Sequence, residues 1–329
     1  QIVTELVSQQ GVSVSAACRL FGLSRQAYYQ SKADAELVAK KEARILTSVR
    51  EIRDEDPGIG CYKLWLMMIS LYGSDYVMGR DSFIKLLRHH KLVLPPPKAR
   101  HTTNSNHRYH KWKNLIKGFI PTGPNQLWVA DITYISTACG VCYLHLITDA
   151  YSHKIVGWVL SDTLAASSTI KALEKAIAQA MATGGVEVLR TLIHHSDRGV
   201  QYCCNEYVAM LRQYGIRISM TEDYKPTDNA IAERINGVIK TEVVYRIKQF
   251  SNMAEALRVI SRYISFYNCR RPHMSIGYIT PEQAHSEEGT QQKMWKIKTY
   301  QKNENETEKK DLTLLSQTTS RGESLSRQP

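Results

Sequence analysis

The sequence predicts an α/β fold, with a core built round one mixed sheet and all-α modules ahead of it. Three observations predict it. The first 94 residues carry apolar residues at helical spacing and no β-rich run. Three β-rich runs then succeed one another between Gln126 and Leu160. After them helical and strand patterns alternate, which is the grammar of a mixed sheet covered by helices.

Residues 1–35 read as short helices. An apolar run through Ile2, Leu6 and Val7 is followed by Val14 to Phe21, and Gly22 supplies a turn. Ser24 is a good N-cap for the next helix, which begins Arg25-Gln26-Ala27-Tyr28-Tyr29. This is helix-turn-helix spacing, with Arg25, Gln26 and Tyr29 placed to face DNA; a small helical bundle of any function gives the same pattern. Residues 38–97 form a second helical module. One helix runs through Ile45, Val49 and Ile52 to Asp56-Pro57-Gly58, another starts near Gly60, and a third covers Val77 to Val93 with Arg80, Lys85 and Arg88 on its polar face. Pro95-Pro96-Pro97 ends the module.

Residues 98–124 lack apolar periodicity, close with Pro121-Thr122-Gly123-Pro124, and read as a basic linker. The core is expected at 125–285. Its strands are Gln126 to Ile135, Val141 to Thr148, His153 to Leu160, Val188 to Ile193 and Ile216 to Met220. Its helices are Ala165 to Met181, Asn205 to Tyr214, Asn229 to Arg246 and Met253 to Tyr267. Residues 286–329 are polar and are expected to form a disordered tail.

Charge narrows the partner. The 329-residue chain carries a formal net charge of +12, with a pI near 9.3, which points to a polyanion. The excess is local. From Ser82 to Ala130 there is no Asp or Glu, yet the stretch holds Lys85, Arg88, Lys91, Lys98, Arg100, Arg108, Lys111, Lys113 and Lys117. A soluble surface mixes both signs, so phosphate contact is the expected use of this segment. Seven scattered cysteines, an odd count, suit reduced thiols in a cytoplasmic protein. Cys139 and Cys142 have metal-ligand spacing, with His107 and His110 upstream, but Gly140 between them reads as a hairpin turn. No apolar run reaches the roughly 18 residues of a membrane span. The start, Gln1-Ile2-Val3-Thr4-Glu5, has no basic region ahead of an apolar one and no Met; no export signal is read there, and the natural start is expected upstream.

Three acids stand out by position. Asp131 lies inside the otherwise apolar run Trp128 to Ile135, where an acid is costly without a partner. Asp197 comes after the fourth expected strand, at the kind of sheet end that presents ligand-binding groups. Glu233 sits one turn into a helix, and Glu233, Asn236 and Lys240 share its face. Three converging carboxylates suit a pair of Mg²⁺ ions, and Lys240 is placed to hold a phosphate beside them. Each acid alone also has an ordinary reading, a turn Asp for Asp197 and a first-turn helix acid for Glu233. His194 and His195 either orient Asp197 or pack at the strand end. Arg271 and His273 either tie the last helix to the core or touch phosphate. Asn229 is a helix N-cap or a buttress of the site.

Taken together, these words resemble a family. Thirty-five residues, 198 to 232, separate Asp197 from Glu233, the D-35-E interval of retroviral integrases and related insertion-sequence transposases. Trp128…Asp131-Ile132-Thr133-Tyr134-Ile135, His195-Ser196-Asp197-Arg198-Gly199…Gln201-Tyr202, Asp228-Asn229-Ala230…Glu233, Lys240, and Tyr267-Asn268…Arg270-Arg271-Pro272-His273…Gly277…Thr280-Pro281 match OrfB-type transposases in order. Ala130 and the run Arg234-Ile235-Asn236 depart from the usual residues. The resemblance implies an RNase-H-like integrase catalytic core with a DDE motif and two Mg²⁺ or Mn²⁺ ions. It implies cleavage and strand transfer at the terminal inverted repeats of a mobile element, and double-stranded DNA as partner. Pairing two ends asks for a homo-oligomer, at least a dimer, and an upstream-frame OrfA-type partner belongs to the same picture. A nuclease that only hydrolyses and a repressor with a dead core are the competing readings.

Overall fold

The computed structural model describes residues 2–9, 11–94, 108–222, 229–247 and 249–289. Lys98, Arg100, His107 and nearly all of the expected polar tail lie outside the described residues.

Helices α1 (Ile2–Gln9) and α2 (Val14–Leu20) pack round Val3, Ala17 and Cys18. Gly22, at φ +64, turns the chain into α3 (Arg25–Glu55). Ser24 caps α3 as expected, its Oγ accepting from the Ala27 N–H at 3.0 Å. The helix then departs from the sequence reading: it runs unbroken for 31 residues through positions 35–38, where one module was expected to end and the next to begin. No Gly or Pro lies between Arg25 and Glu55, and Ala, Glu, Lys, Gln and Arg dominate, so nothing stops it. The far half of α3 packs with α4 (Cys61–Tyr72) and α5 (Arg80–His89) around Ile45, Val49, Ile52, Leu64, Met68, Phe83 and Leu87.

The sheet contains β1 (Leu127–Thr137), β2 (Gly140–Asp149), β3 (Ile155–Ser161), β4 (Ile193–Ser196) and β5 (Arg217–Met220), in the order β3-β2-β1-β4-β5. The first three form an antiparallel meander, and β4 and β5 run parallel to β1. This is the mixed-sheet core that the sequence led us to expect. The β1–β2 turn contains Gly140 at φ +125, with Cys139 exposed and Cys142 buried, so the pair serves a hairpin.

Period-2 alternation sends the strand residues to opposite faces. On one face α6 (Ala166–Gly184), α8 (Val200–Cys203) and α9 (Asn205–Gln213) cover Trp128, Ala130 and Ile147. Gly157 of β3 lets α6 approach closely, for a Cβ there would collide with the Ala172 carbonyl. On the other face α10 (Ala230–Ile239) and α11 (Met253–Cys269) cover Ile135, Leu144, Leu146 and Leu160. Phe266 of α11 reaches instead into the core of α3–α5.

Two core elements differ from expectation. Residues expected to open the fourth strand form a helical turn, α7 (Glu187–Arg190), and the strand itself is Ile193–Ser196. Backbone pairing decides this, because β4 is bonded to β1 on one side and β5 on the other only over those four residues. Helix α10 stops at Ile239, and a π-helical turn, Lys240–Val244, replaces its expected last turns. The described part of the basic stretch also differs from a free linker. The Met220 N–H reaches the Lys113 carbonyl at 3.4 Å, and the Leu115 N–H donates to Ser219 Oγ at 2.9 Å. Trp112 packs on the core beside them. The segment covers the edge strand β5, whose outer backbone groups need partners.

Candidate catalytic centre

The parallel pairing of β1 with β4 ends at Ala130 opposite Ser196, so Asp131 and Asp197 are the next residues along adjacent chains. Asp131 is half-buried. The Ile132 N–H donates to its Oδ1 at 2.8 Å, and Asn236 Nδ2 donates to Oδ2 at 2.7 Å. Burial pushes the Asp131 carboxyl up to about 7, the charge of Asp197 adds to this and that of Glu233 adds less, while the two hydrogen bonds oppose it. Asp197 accepts the Gly199 N–H at 3.0 Å, so it makes the expected turn and also faces Asp131.

Helix α10 brings the third group. Glu233 is exposed in its first turn, Asn236 one turn on bonds Asp131, and Lys240 comes at the helix end. Burial lowers the Lys240 ammonium from its usual range, and Asp131 partly restores it. All three residues of that face therefore lie toward the β1–β4 carboxylates. Among the described residues no three His, Cys, Asp or Glu side chains are grouped closely enough to hold one metal ion.

Asn229 takes the N-cap position of α10 but makes no side-chain cap; its Nδ2 donates to the Ala130 carbonyl at 3.1 Å. The capping reading is thereby corrected: Asn229 ties the start of the helix to the residue before Asp131. His194 and His195 pack within the sheet. His194 Nε2 bonds Tyr207 Oη at 2.9 Å, His195 Nδ1 bonds Ser219 Oγ at 2.8 Å, and burial pushes His194 down to about 3. Arg271 ties the segment after α11 to the core, as one of its two readings held, by a forked bond to Glu242. His273 stacks on His153 with ring centroids 4.7 Å apart.

Tyr202 had no role in the sequence reading beyond its place in a motif. It is buried, and among the described residues its hydroxyl has no hydrogen-bond partner. Burial raises its pKa far above the ordinary value, and the charges of Asp131 and Asp197 raise it further. Its nearness to the two acids comes from α8 folding back directly after Asp197, which spacing alone does not reveal. Of the expected DNA contacts, Arg25 and Gln26 are exposed in the first turn of α3, and Arg108, Lys113 and Lys117 are exposed beside the core. Lys111 is half-buried, and Lys117 lies 3.6 Å from Glu222.

Comparison with known proteins gives the family. Two models described as integrase core domain match residues 121–226 and 214–281. The insertion element IS600 uncharacterized 31 kDa protein of Shigella sonnei is 35% identical over 270 residues, covering 80% of this chain and 95% of that protein. The transposase for insertion sequence element IS629 of Shigella sonnei is 29% identical over 292 residues, covering 86% and 94%. The HTLV-2 integrase catalytic core domain in complex with magnesium is similar at 20% identity over 50% of this chain and 99% of that one, with a TM-score of 0.38. The chain belongs to the integrase-core family of insertion-sequence transposases.

Proposed function

We propose that Asp131, Asp197 and Glu233 form a metal-dependent centre that cleaves and joins DNA at the terminal inverted repeats of the chain's own mobile element. The observation that carries the reading is the Asp131 carboxyl, pushed up to about 7 by burial and by Asp197 while Asn236 holds it in place. A carboxylate whose proton affinity is raised by burial and by a neighbouring negative charge, as at Asp131, is relieved by a cation, and an all-carboxylate donor set suits Mg²⁺ or Mn²⁺. Asp131, Asp197 and Glu233 would hold two such ions, which when bound acidify the attacking hydroxyl and stabilise the leaving oxygen.

The chain's own residues do the rest. Asn236 fixes the Asp131 oxygens, and Asn229 fixes the start of the helix that bears Glu233. Lys240 offers its ammonium to a phosphate beside the acids. His195 holds β4 to β5 just before Asp197. Arg25, Gln26, Arg108, Lys111, Lys113 and Lys117, with Lys98 and Arg100 in the same basic stretch, contact the phosphates of double-stranded DNA. Holding two DNA ends together calls for at least a homodimer, and an upstream-frame OrfA-type partner belongs to the same proposal. Among the described residues no helix is long and apolar enough to cross a membrane. We also propose, from the DNA partner, that the chain works in the cytoplasm, on the nucleoid.

The test is strand transfer with purified full chain, a labelled DNA end of the element, and Mg²⁺ or Mn²⁺, beside Asp197→Asn and Glu233→Gln. Joined product that disappears in both variants supports the reading, with an expected loss of at least about 10³-fold, the scale of one essential electrostatic group. Metal-dependent cutting without joining would replace it by a nuclease. Tight binding with no chemistry would replace it by a repressor.

A further inference from the structure

Among the described residues, a buried polar cluster outside the carboxylate centre gathers round Glu242, in the π turn that begins at Lys240. Arg271 forks onto it, Nε to Oε2 and Nη2 to Oε1, both at 2.6 Å. Tyr263 Oη of α11 donates to Oε2 at 2.8 Å, and Lys63 Nζ of α4 donates to Oε1 at 3.0 Å. Asp56, fully buried at the end of α3, lies 3.9 Å from Arg271 Nε. Backbones meet here as well, because a Cβ on Gly58 would run into the main chain of Glu242.

This cluster joins two parts of the molecule. Asp56, Gly58 and Lys63 belong to the N-terminal helical unit, whereas Glu242 closes the helix that carries Glu233, Asn236 and Lys240. A π turn adds a residue to the helical turn and so shifts the register of the helix before it against the chain after it. Four charge-assisted bonds on that turn hold the end of α10 against three other segments, and Asn229 holds its start.

We propose that Lys63 and Arg271 are positioning residues for the acid-bearing helix, acting through Glu242, so that the N-terminal helical unit sets the pose of α10 in the catalytic centre. The assignment of α10 to catalysis rests on the proposed function above; the mechanical coupling does not. Lys63 is the informative member because it reaches across from the helical unit and its side chain is 19% exposed, so it is removable without hollowing the core.

The experiment compares the full chain with Lys63→Met, Lys63→Arg and Arg271→Lys. Hydrogen exchange is read across Ala230–Ile239 and across the sheet, and strand transfer is measured over a Mg²⁺ titration. In Lys63→Met, exchange in α10 should rise at least tenfold while β1 and β4 keep their protection. The Mg²⁺ concentration for half-maximal joining should rise by about 10-fold, the scale seen when a supporting partner of a metal ligand is removed. Lys63→Arg, which restores the charge and donors, should return both readouts to within about threefold, and Arg271→Lys should repeat the α10 effect. Unchanged exchange in α10 would overturn the proposal, and so would exchange that rises equally throughout the sheet, which is plain loss of stability. If the parent chain joins no DNA with either metal, the catalytic reading fails, and the exchange arm still decides the coupling.

Discussion

At Asp131 burial and a neighbouring negative charge act in the same direction, and the protein supplies only two hydrogen bonds against them. Its folded pKa, about 7, lies above the ordinary carboxylate value. The preference for the protonated form therefore adds stability below about pH 4, and that stability is lost as pH rises through 7. Asp131→Asn should abolish joining yet stabilise the metal-free protein by about 1–3 kcal/mol at pH 8, after discounting for solvent screening at a group that is not fully buried. Urea denaturation in EDTA at pH 4.5 and pH 8 checks this: the gain belongs to the higher pH, and an equal gain at both would show that the charge is not its origin. Adding Mg²⁺ should shrink the difference, because only the carboxylate binds it. Asp131 was legible as a candidate because an acid in an apolar strand is anomalous, and Asp197 because it follows a strand at a sheet end. Tyr202 was not, since an aromatic in an amphipathic stretch is ordinary and only the fold brings its hydroxyl to the acids.

Elements succeed or fail on what their ends meet. Helix α3 overruns the expected boundary because local propensity favours continuation and no Gly or Pro interrupts it. Helix α10 does the reverse: its sequence continues helically to Arg246, but the next turn takes π geometry, with Glu242 pinned in it by Arg271. The contact of β3 with α6 is set by Gly157. Gly157→Ala should cost about 1–3 kcal/mol, the usual range for forcing a methyl into a filled core. A thermal melt reads the loss; an unchanged midpoint would mean that α6 moves away freely. Joining at a permissive temperature should survive, since neither Asp131 nor α10 touches that face.

At the scale of the whole molecule, the buried cluster round Glu242 makes stability depend on pH. Burial would raise Glu242, but Arg271 and Lys63 overcome it and hold the carboxyl at about 2. Burial and the Glu242 charge push Asp56 up to about 8. The two signs differ. The contribution of Glu242 is complete above about pH 4.5 and is lost as pH falls toward 2, whereas that of Asp56 is complete below about pH 4 and is lost as pH rises through 8. Stability from this cluster should therefore peak near pH 4–5 and decline toward pH 8.5, and Asp56→Asn should flatten the decline. Chemical denaturation at pH 5, 6.5 and 8.5 measures it; a parallel decline in the variant would assign the slope elsewhere. Arg271→Met should cost about 3–5 kcal/mol, because it leaves a buried carboxylate without its fork.

By itself the sequence determined the class of fold and the mixed meander-then-alternating core, and it singled out the candidate acids Asp131, Asp197 and Glu233, their helix-face companions Asn236 and Lys240, and the expectation of a polyanionic partner. All of these rest on periodicity, local charge and short-range spacing, which a linear chain displays directly. Tertiary structure alone decided the remainder: that β4 begins at Ile193, that Asn229 bonds Ala130 instead of capping, and that residues 112–117 clothe β5. It also decided that Lys63, Glu242 and Arg271 meet across 179 and 29 residues. Such contacts are fixed by burial and by the need to satisfy polar groups taken out of water, and no local pattern encodes which distant partner will satisfy them.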